Sequence, residues 1–123
     1  MLALLVIDAA NVVGSKPDGW WRDRAGATVR LRDALSGLGA AGLPDLPGPV
    51  EVVLVVEGKA RDVPGSAEVR VVSAPGSGDD RIVELVAAAD DGRRVVVVTA
   101  DRGLRERVTA LGAEVRGPAS VPR

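Results

Sequence analysis

The chain has 123 residues, a net charge of −1, and neither cysteine nor histidine. This length predicts one domain, so we assign residues 1–123 to a single folding unit. The missing cysteines exclude disulfides and thiolate chemistry, and the missing histidines remove the usual general base and the commonest transition-metal ligand. Any chemistry must therefore use carboxylates, hydroxyls, amides and arginines, and a bound metal should be a hard cation such as Mg²⁺ or Mn²⁺.

The bulk properties give little sign of a nucleic-acid partner. No global basic field accompanies a charge of −1, and Trp20 and Trp21 are the only aromatic residues. Two aromatics argue against an extended base-stacking platform. The apolar run at the start is too short for a membrane span and lacks the features of a leader, so we expect a cytoplasmic, bacterial protein.

Five segments have the composition of strands. The first runs from Leu2 through six apolar residues and breaks at Asp8. Near-continuous apolar runs of this kind are typical of strands buried on both faces of a parallel sheet. The other predicted strands are Val50–Val56, Glu68–Ser73, Arg94–Thr99 and Ala113–Arg116.

Helical periodicity fills the intervals between these strands. The predicted helices are Thr28–Leu38, Arg81–Ala89 and Arg102–Ala110. The alternation of strands and helices predicts a three-layer α/β/α domain with a mostly parallel sheet. Turn-forming residues predict loops over Gly14–Gly19, Leu43–Pro49 and Lys59–Ser66, and a loosely ordered tail over Gly117–Arg123.

Carboxylates stand where several of these elements meet. Asp8 ends the first strand, Asp101 follows the fourth, and Asp79 and Asp80 precede a helix. The carboxyl ends of parallel strands share one edge of the sheet, so these acids should converge there. Converging carboxylates repel one another, and a cluster persists at neutral pH chiefly when cations lie among them.

Each acid also has a structural interpretation. Asp79 and Asp101 could each cap the helix that follows, with Asp80 favouring the helix dipole. Asp8 is harder to explain in this way, because a charge after a buried strand is costly unless it is paired or metal-bound. Asn11 could orient a water or a carboxylate, or cap a helix, and Thr99 could hydrogen-bond into the same site.

Three segments, IDAANVVG, GDDRIVELV and VVVVTADRGLRERV, carry a family resemblance in their order and spacing. They resemble the NYN branch of the PIN-like metal-dependent ribonucleases, and within it the YacP-like proteins, whose pattern opens with DGYNV and closes with TSDR. The resemblance implies a five-stranded sheet in the order 3-2-1-4-5. It also implies a Mg²⁺ or Mn²⁺ site formed by Asp8, Asp79, Asp80 and Asp101, with Asn11 in support.

The sequence departs from that pattern at several positions. Ala9 and Ala10 replace the usual Gly–Tyr pair, which removes an aromatic ring beside the expected site. Glu57 stands where relatives often carry aspartate, and is either a peripheral acid or only the end of a strand. Arg105 stands where some relatives have a further acid, which leaves a second metal open.

Basic residues flank the predicted carboxyl edge. They are either a local rim for RNA phosphates or ordinary solvated charges. Trp20 and Trp21 either pack as a lid or stack on a base. The candidate RNA-binding residues are Lys16, Arg22, Lys59, Arg81 and Arg102, with Arg24 and Arg61 nearby.

The leading hypothesis is a metal-dependent endoribonuclease that hydrolyses RNA phosphodiester bonds, single-stranded or structured, with metal-bound water held by Asp8, Asp79 and Asp101. The alternative is a PIN-like RNA-binding or regulatory module with weak or no catalysis. A receiver-like phosphoacceptor fits less well, because Glu57 replaces the required central aspartate and no lysine follows Lys59. A homo-oligomer, an antitoxin and an RNA-processing partner stay open.

Overall fold

A computed structural model describes residues 1–123, and its centre is a five-stranded parallel sheet. In chain order the strands are β1 (Ala3–Asp8), β2 (Val50–Val56), β3 (Arg70–Ser73), β4 (Val95–Val98) and β5 (Glu114–Arg116). Across the sheet they lie in the order β3-β2-β1-β4-β5, and every neighbouring pair is parallel. The predicted α/β class and the predicted order 3-2-1-4-5 are confirmed.

The central strand β1 sets the position of everything else. Its two faces bury alternate side chains, since Leu5 and Ile7 pack into one core and Leu4 and Val6 into another. Two layers of helix cover a sheet of this kind because both faces are apolar. Asp8 is the last residue of β1 and lies opposite Val55 of β2, at the carboxyl edge.

Five helices form the outer layers. The first core lies beneath α1 (Ala9–Gly14), α2 (Arg24–Ala34) and α3 (Leu38–Ala41). The second lies beneath α4 (Gly78–Ala87) and α5 (Arg102–Thr109), which bury Ile82 and Val86 from one helix and Leu104 and Val108 from the other. None of these helices is long and apolar enough to span a membrane.

The helices on the first face differ from the prediction at two places. The residues directly after Asp8 form α1, a helix that the sequence did not predict. The helix predicted over Thr28–Leu38 begins at Arg24 and ends at Ala34, because the Asp23 carboxylate accepts a hydrogen bond from the Gly26 amide at 2.9 Å. An N-cap aspartate satisfies an amide that would otherwise lack a partner, so the helix begins there.

The segments predicted as loops are more ordered than expected. Residues 43–49 include part of a small antiparallel hairpin, formed by Gly42–Leu43 and Leu46–Pro47. The segment after β2 begins with a 3-10 turn, Gly58–Ala60, and buries Val63. The tail also packs onto the fold: Val121 is 5% exposed in the first core, and Arg123 donates to Ser15 Oγ at 2.6 Å.

Candidate active site

Asp8 is the buried centre of the candidate site. It is 5% exposed and caps α1, with Oδ1 accepting from the Asn11 amide at 3.4 Å and Oδ2 accepting from Thr99 Oγ1 at 2.9 Å. The pKa of Asp8 is raised to about 6, mainly by burial and in smaller part by the charges of Asp79 and Glu57, while the two hydrogen bonds oppose the shift. Asp8 is therefore a carboxylate that the fold holds at an energetic cost.

Two polar side chains connect Asp8 to the loop between β4 and α5. Thr99 is fully buried, donates to Asp8 and accepts from the Asp101 amide at 3.1 Å. Asn11 Oδ1 accepts from the Ala100 amide at 2.8 Å. The expected hydrogen bond from Thr99 into the site is confirmed, whereas the interpretation of Asn11 as a helix cap is wrong, because Asp8 caps that helix.

Asp101 lies at the start of α5 on the same edge. Its Oδ1 accepts from the Leu104 amide at 2.8 Å, so its interpretation as a helix cap is confirmed. Asp101 is exposed, and its Oδ2 accepts no hydrogen bond from the protein. Oδ1 thus fixes the side chain, while Oδ2 has no hydrogen-bond partner within the protein.

Among these acids, Asp79 contributes least to holding the local structure. It lies in the first turn of α4, but Ser77 caps that helix by accepting from the Asp79 amide at 3.1 Å, so the interpretation of Asp79 as the cap is wrong. Its carboxylate accepts no hydrogen bond from the protein. Partial burial raises the pKa of Asp79, the negative charges of Asp101 and Glu57 add to the increase, and Arg107 opposes it.

Glu57 follows β2 and belongs to the same electrostatic group. Its Oε2 accepts from the Gly78 amide at 2.8 Å and so helps to hold the start of α4. A Cβ at Gly78 would lie 3.1 Å from Glu57 Cδ, which explains the glycine at that position. Glu57 therefore directly follows the strand, and its negative charge also acts on Asp8 and Asp79.

Asp80 differs from these acids in having an arginine as a direct ion-pair partner. Its Oδ1 is 3.1 Å from Arg107 Nη2 of α5, and the side chain is 66% exposed. Adjacent positions on a helix point about 100° apart, which separates Asp80 from Asp79. These two aspartates could not be distinguished from the sequence, since both precede the same apolar run.

The predicted basic residues lie on separate elements of the fold. Lys59 is exposed on the 3-10 turn after β2, and Arg102 is exposed at the start of α5. Arg81 of α4 pairs with Glu84 at 3.2 Å. Lys16 follows α1, and Arg22 lies 5.9 Å from the centroid of the Trp21 ring.

Arg105 has a role that the sequence did not indicate. It lies one turn into α5, where its Nε donates to the Thr99 carbonyl at 2.8 Å. This contact holds the backbone that carries Thr99 and Asp101. A helix-borne arginine four residues after a capping aspartate is the only sequence signal for it.

The donor chemistry of this edge fits a hard divalent cation. Asp8, Asp79, Asp101 and Glu57 supply only carboxylate oxygens, and the pKa of Asp79 is raised by partial burial and then by the negative charges of Asp101 and Glu57. No three acids lie close enough together to bind one cation directly. Mg²⁺ commonly takes one or two carboxylates and keeps several waters, so two of these acids would be enough to hold it.

The chain folds as a three-layer α/β/α domain with an acidic carboxyl edge. Solved structures that share this fold include two of one bacterial protein. Rae1 (YacP) from Bacillus subtilis superposes with a TM-score of 0.78 at 16% identity, covering 97% of this chain and 71% of that one. A tryptophan-to-leucine variant of Rae1 gives a TM-score of 0.72 at 18% identity, covering 97% and 72%. No protein-family model matches the sequence, and no curated protein does either.

Proposed function

We propose that this chain is a Mg²⁺- or Mn²⁺-dependent endoribonuclease that hydrolyses RNA phosphodiester bonds at the carboxyl edge of its sheet. One observation carries the proposal. Asp8, Asp79 and Asp101 come from three different elements, share one edge, and have no arginine or lysine as a direct ion-pair partner. Titratable groups whose pKa is perturbed by burial and by one another are typical of functional sites.

The residues divide into two roles. Asp79 and the free oxygen of Asp101 would hold the cation, and Asp8 would add charge from beneath. A divalent cation bound there would lower the pKa of a water and neutralise charge on the phosphate. Asn11 uses Oδ1 to accept from Ala100, which leaves its Nδ2 amide to donate to a phosphate oxygen. Thr99 keeps Asp8 in place by donating to Oδ2.

RNA is the substrate that the sequence motifs and the fold favour. The three motifs resemble the YacP-like ribonucleases, and the structure of YacP from Bacillus subtilis shares the fold, so motif and fold support the same family by separate routes. Lys16, Lys59 and Arg102 are exposed, so their charges are available to phosphates.

The second candidate function is a non-catalytic RNA-binding module. It is favoured by the structural use of the acids, since Asp8 and Asp101 both cap helices and no three carboxylates converge on one point. Arg105 adds to this case, because it places a cation where some relatives have an acid.

Cleavage of a labelled single-stranded RNA in Mn²⁺ separates the two candidates. We expect the wild-type protein to cut, and we expect EDTA, Asp8→Asn and Asp101→Asn each to abolish cutting. The Asn variants keep the side-chain shape and still offer an oxygen to Thr99 and Leu104. Binding without cleavage by the wild-type protein would contradict the nuclease and support the binding module.

A further inference from the structure

A cleft of about 480 Å³ opens beside the acids, between α1, α2 and the turn that follows β2. Its floor and walls are mostly small or apolar, and Ala9, Ala10, Val13 and Trp20 contribute to them. Glu57 lines the cleft and also belongs to the acid group, so the two features are continuous. A volume of this size is within the range of small-molecule pockets.

We propose that this cleft is a base-binding subsite, which takes one nucleobase of single-stranded RNA while the neighbouring phosphodiester lies at the acids. The inference rests on the proposed function and adds to it a means of holding the substrate. Asp8, Asp79 and Asp101 do not line the cleft, so the cleft adds a surface for the base that these three acids do not provide.

The wall formed by Trp20 suits a planar ring. The Trp20 and Trp21 rings meet edge to face, with centroids 5.9 Å apart. The guanidinium of Arg24 lies 5.4 Å from the Trp20 centroid and also lines the cleft. An indole beside a cation offers both stacking and charge to a nucleotide, and this combination tolerates any base because every base has a π face.

A base also needs a polar contact at its edge. Glu57 uses Oε2 for the Gly78 amide, and no hydrogen bond within the protein occupies Oε1. That oxygen can accept from a ring or exocyclic N–H of a base. Ser77 also lines the cleft; its hydroxyl oxygen accepts from the Asp79 amide, and the hydroxyl proton makes no hydrogen bond within the protein.

The cleft depends on the small side chain at position 10. Ala10 is exposed on α1 and contributes only a methyl group to the wall. A tyrosine, which the family pattern has at this position, would introduce a ring into the same space. The Ala10→Tyr variant therefore tests whether a ring from the RNA occupies it in this chain.

The test uses tryptophan fluorescence, because the chain has only two tryptophans and no tyrosine. In Trp21→Phe protein, Trp20 is the only tryptophan left. We would titrate this protein in EDTA with a short single-stranded RNA and with the same strand carrying abasic sites. We expect the intact strand to quench Trp20 and to bind about tenfold more tightly than the abasic strand, as one stacked base would give.

Two further variants in the Trp21→Phe background complete the experiment. Ala10→Tyr should bind the intact strand no better than the abasic strand, while Ala110→Tyr, which adds the same ring at the far end of α5, should behave like its parent. Equal affinity of the intact and abasic strands, or no effect of Ala10→Tyr, would overturn the subsite, as would a failure to bind either strand. Hydrolysis of bis(4-nitrophenyl) phosphate in Mn²⁺ tests the acids without a base, so it shows separately whether the proposed function survives.

Discussion

Two groups of carboxylates on this sheet have opposite environments. Beside β5, Arg94 contacts Glu114 at 2.7 Å, and Arg116 contacts Asp45 at 2.8 Å. These hydrogen bonds lower the pKa of Glu114 to about 2 and lower the pKa of Asp45 as well. At the carboxyl edge, burial and mutual repulsion raise the pKa of Asp8 and of Asp79.

The difference is not due to a shortage of cations, since the chain has 16 lysines and arginines. Arginines pair with carboxylates beside β5 and leave Asp8, Asp79 and Asp101 without direct ion pairs. An arrangement that raises the energy of charged groups is expected where those charges serve a function. The comparison therefore supports the proposed function of the carboxyl edge, and it supports a structural role for the network beside β5.

The largest expected effect on stability concerns the pH dependence due to Asp8. Its pKa is about 6 in the folded protein against an ordinary value of 3.8, so the folded state holds this proton more tightly than the unfolded state. The free energy of unfolding should then fall as the pH rises from about 4 to about 6, by up to about 3 kcal/mol. Asp8→Asn should lack this fall.

Thermal or urea unfolding in EDTA across this pH range measures the effect. The quantity to compare is the slope of stability with pH, because the substitution also changes the stability at every pH. A slope that is the same in wild-type and Asp8→Asn protein would show that Asp8 has an ordinary pKa.

A smaller effect is expected from Thr99→Val. Valine keeps the shape of the side chain but leaves the buried Oδ2 of Asp8 without its donor, which should lower the free energy of unfolding by about 1–3 kcal/mol. It should also move the pH-dependent fall to higher pH, since the lost hydrogen bond stabilises the charged form. Thr109→Val is the matched control, because that exposed hydroxyl bonds only to carbonyls of its own helix. Equal losses in the two variants would contradict the role of Thr99.

The smallest effect is expected from Glu114→Gln. The exposed ion pair between Glu114 and Arg94 should contribute little to the free energy of unfolding at neutral pH. Because the pKa of Glu114 is lowered, its contribution is present above pH 4.5 and is lost as the pH falls toward 2, opposite in sign to Asp8. Unfolding midpoints of Glu114→Gln and of Glu106→Gln, an exposed acid outside the network, should diverge above pH 4.5 and converge near pH 2. Midpoints that do not converge there would contradict this account.

The sheet could be predicted from the sequence because its central strands are nearly continuous apolar runs. Val50–Val56 and the valines 95–98 are buried on both faces, and such runs have few alternatives. The first helix was missed because α1 has only six residues, too few for a periodic pattern, and begins directly at a strand end. The order of the tail was missed because a single buried side chain, Val121, leaves no periodicity.

The site was predictable to the level of its elements. Asp8 and Asp101 follow strands that end at one edge, and parallel topology brings them together. The direction of a side chain is a different matter, since it depends on which partner lies opposite. Asp80 forms an ion pair with Arg107 of α5, and no local pattern around Asp80 in the sequence indicates that contact.

The most direct test of the account compares Asp79→Asn with Asp80→Asn. These neighbours carry the same charge and begin the same helix, but Asp79 lies among the acids and Asp80 pairs with Arg107. Cleavage of a single-stranded RNA in Mn²⁺ should fall at least about a hundredfold in Asp79→Asn and little in Asp80→Asn. Equal losses in the two variants, or a larger loss in Asp80→Asn, would contradict the assignment of the acid site.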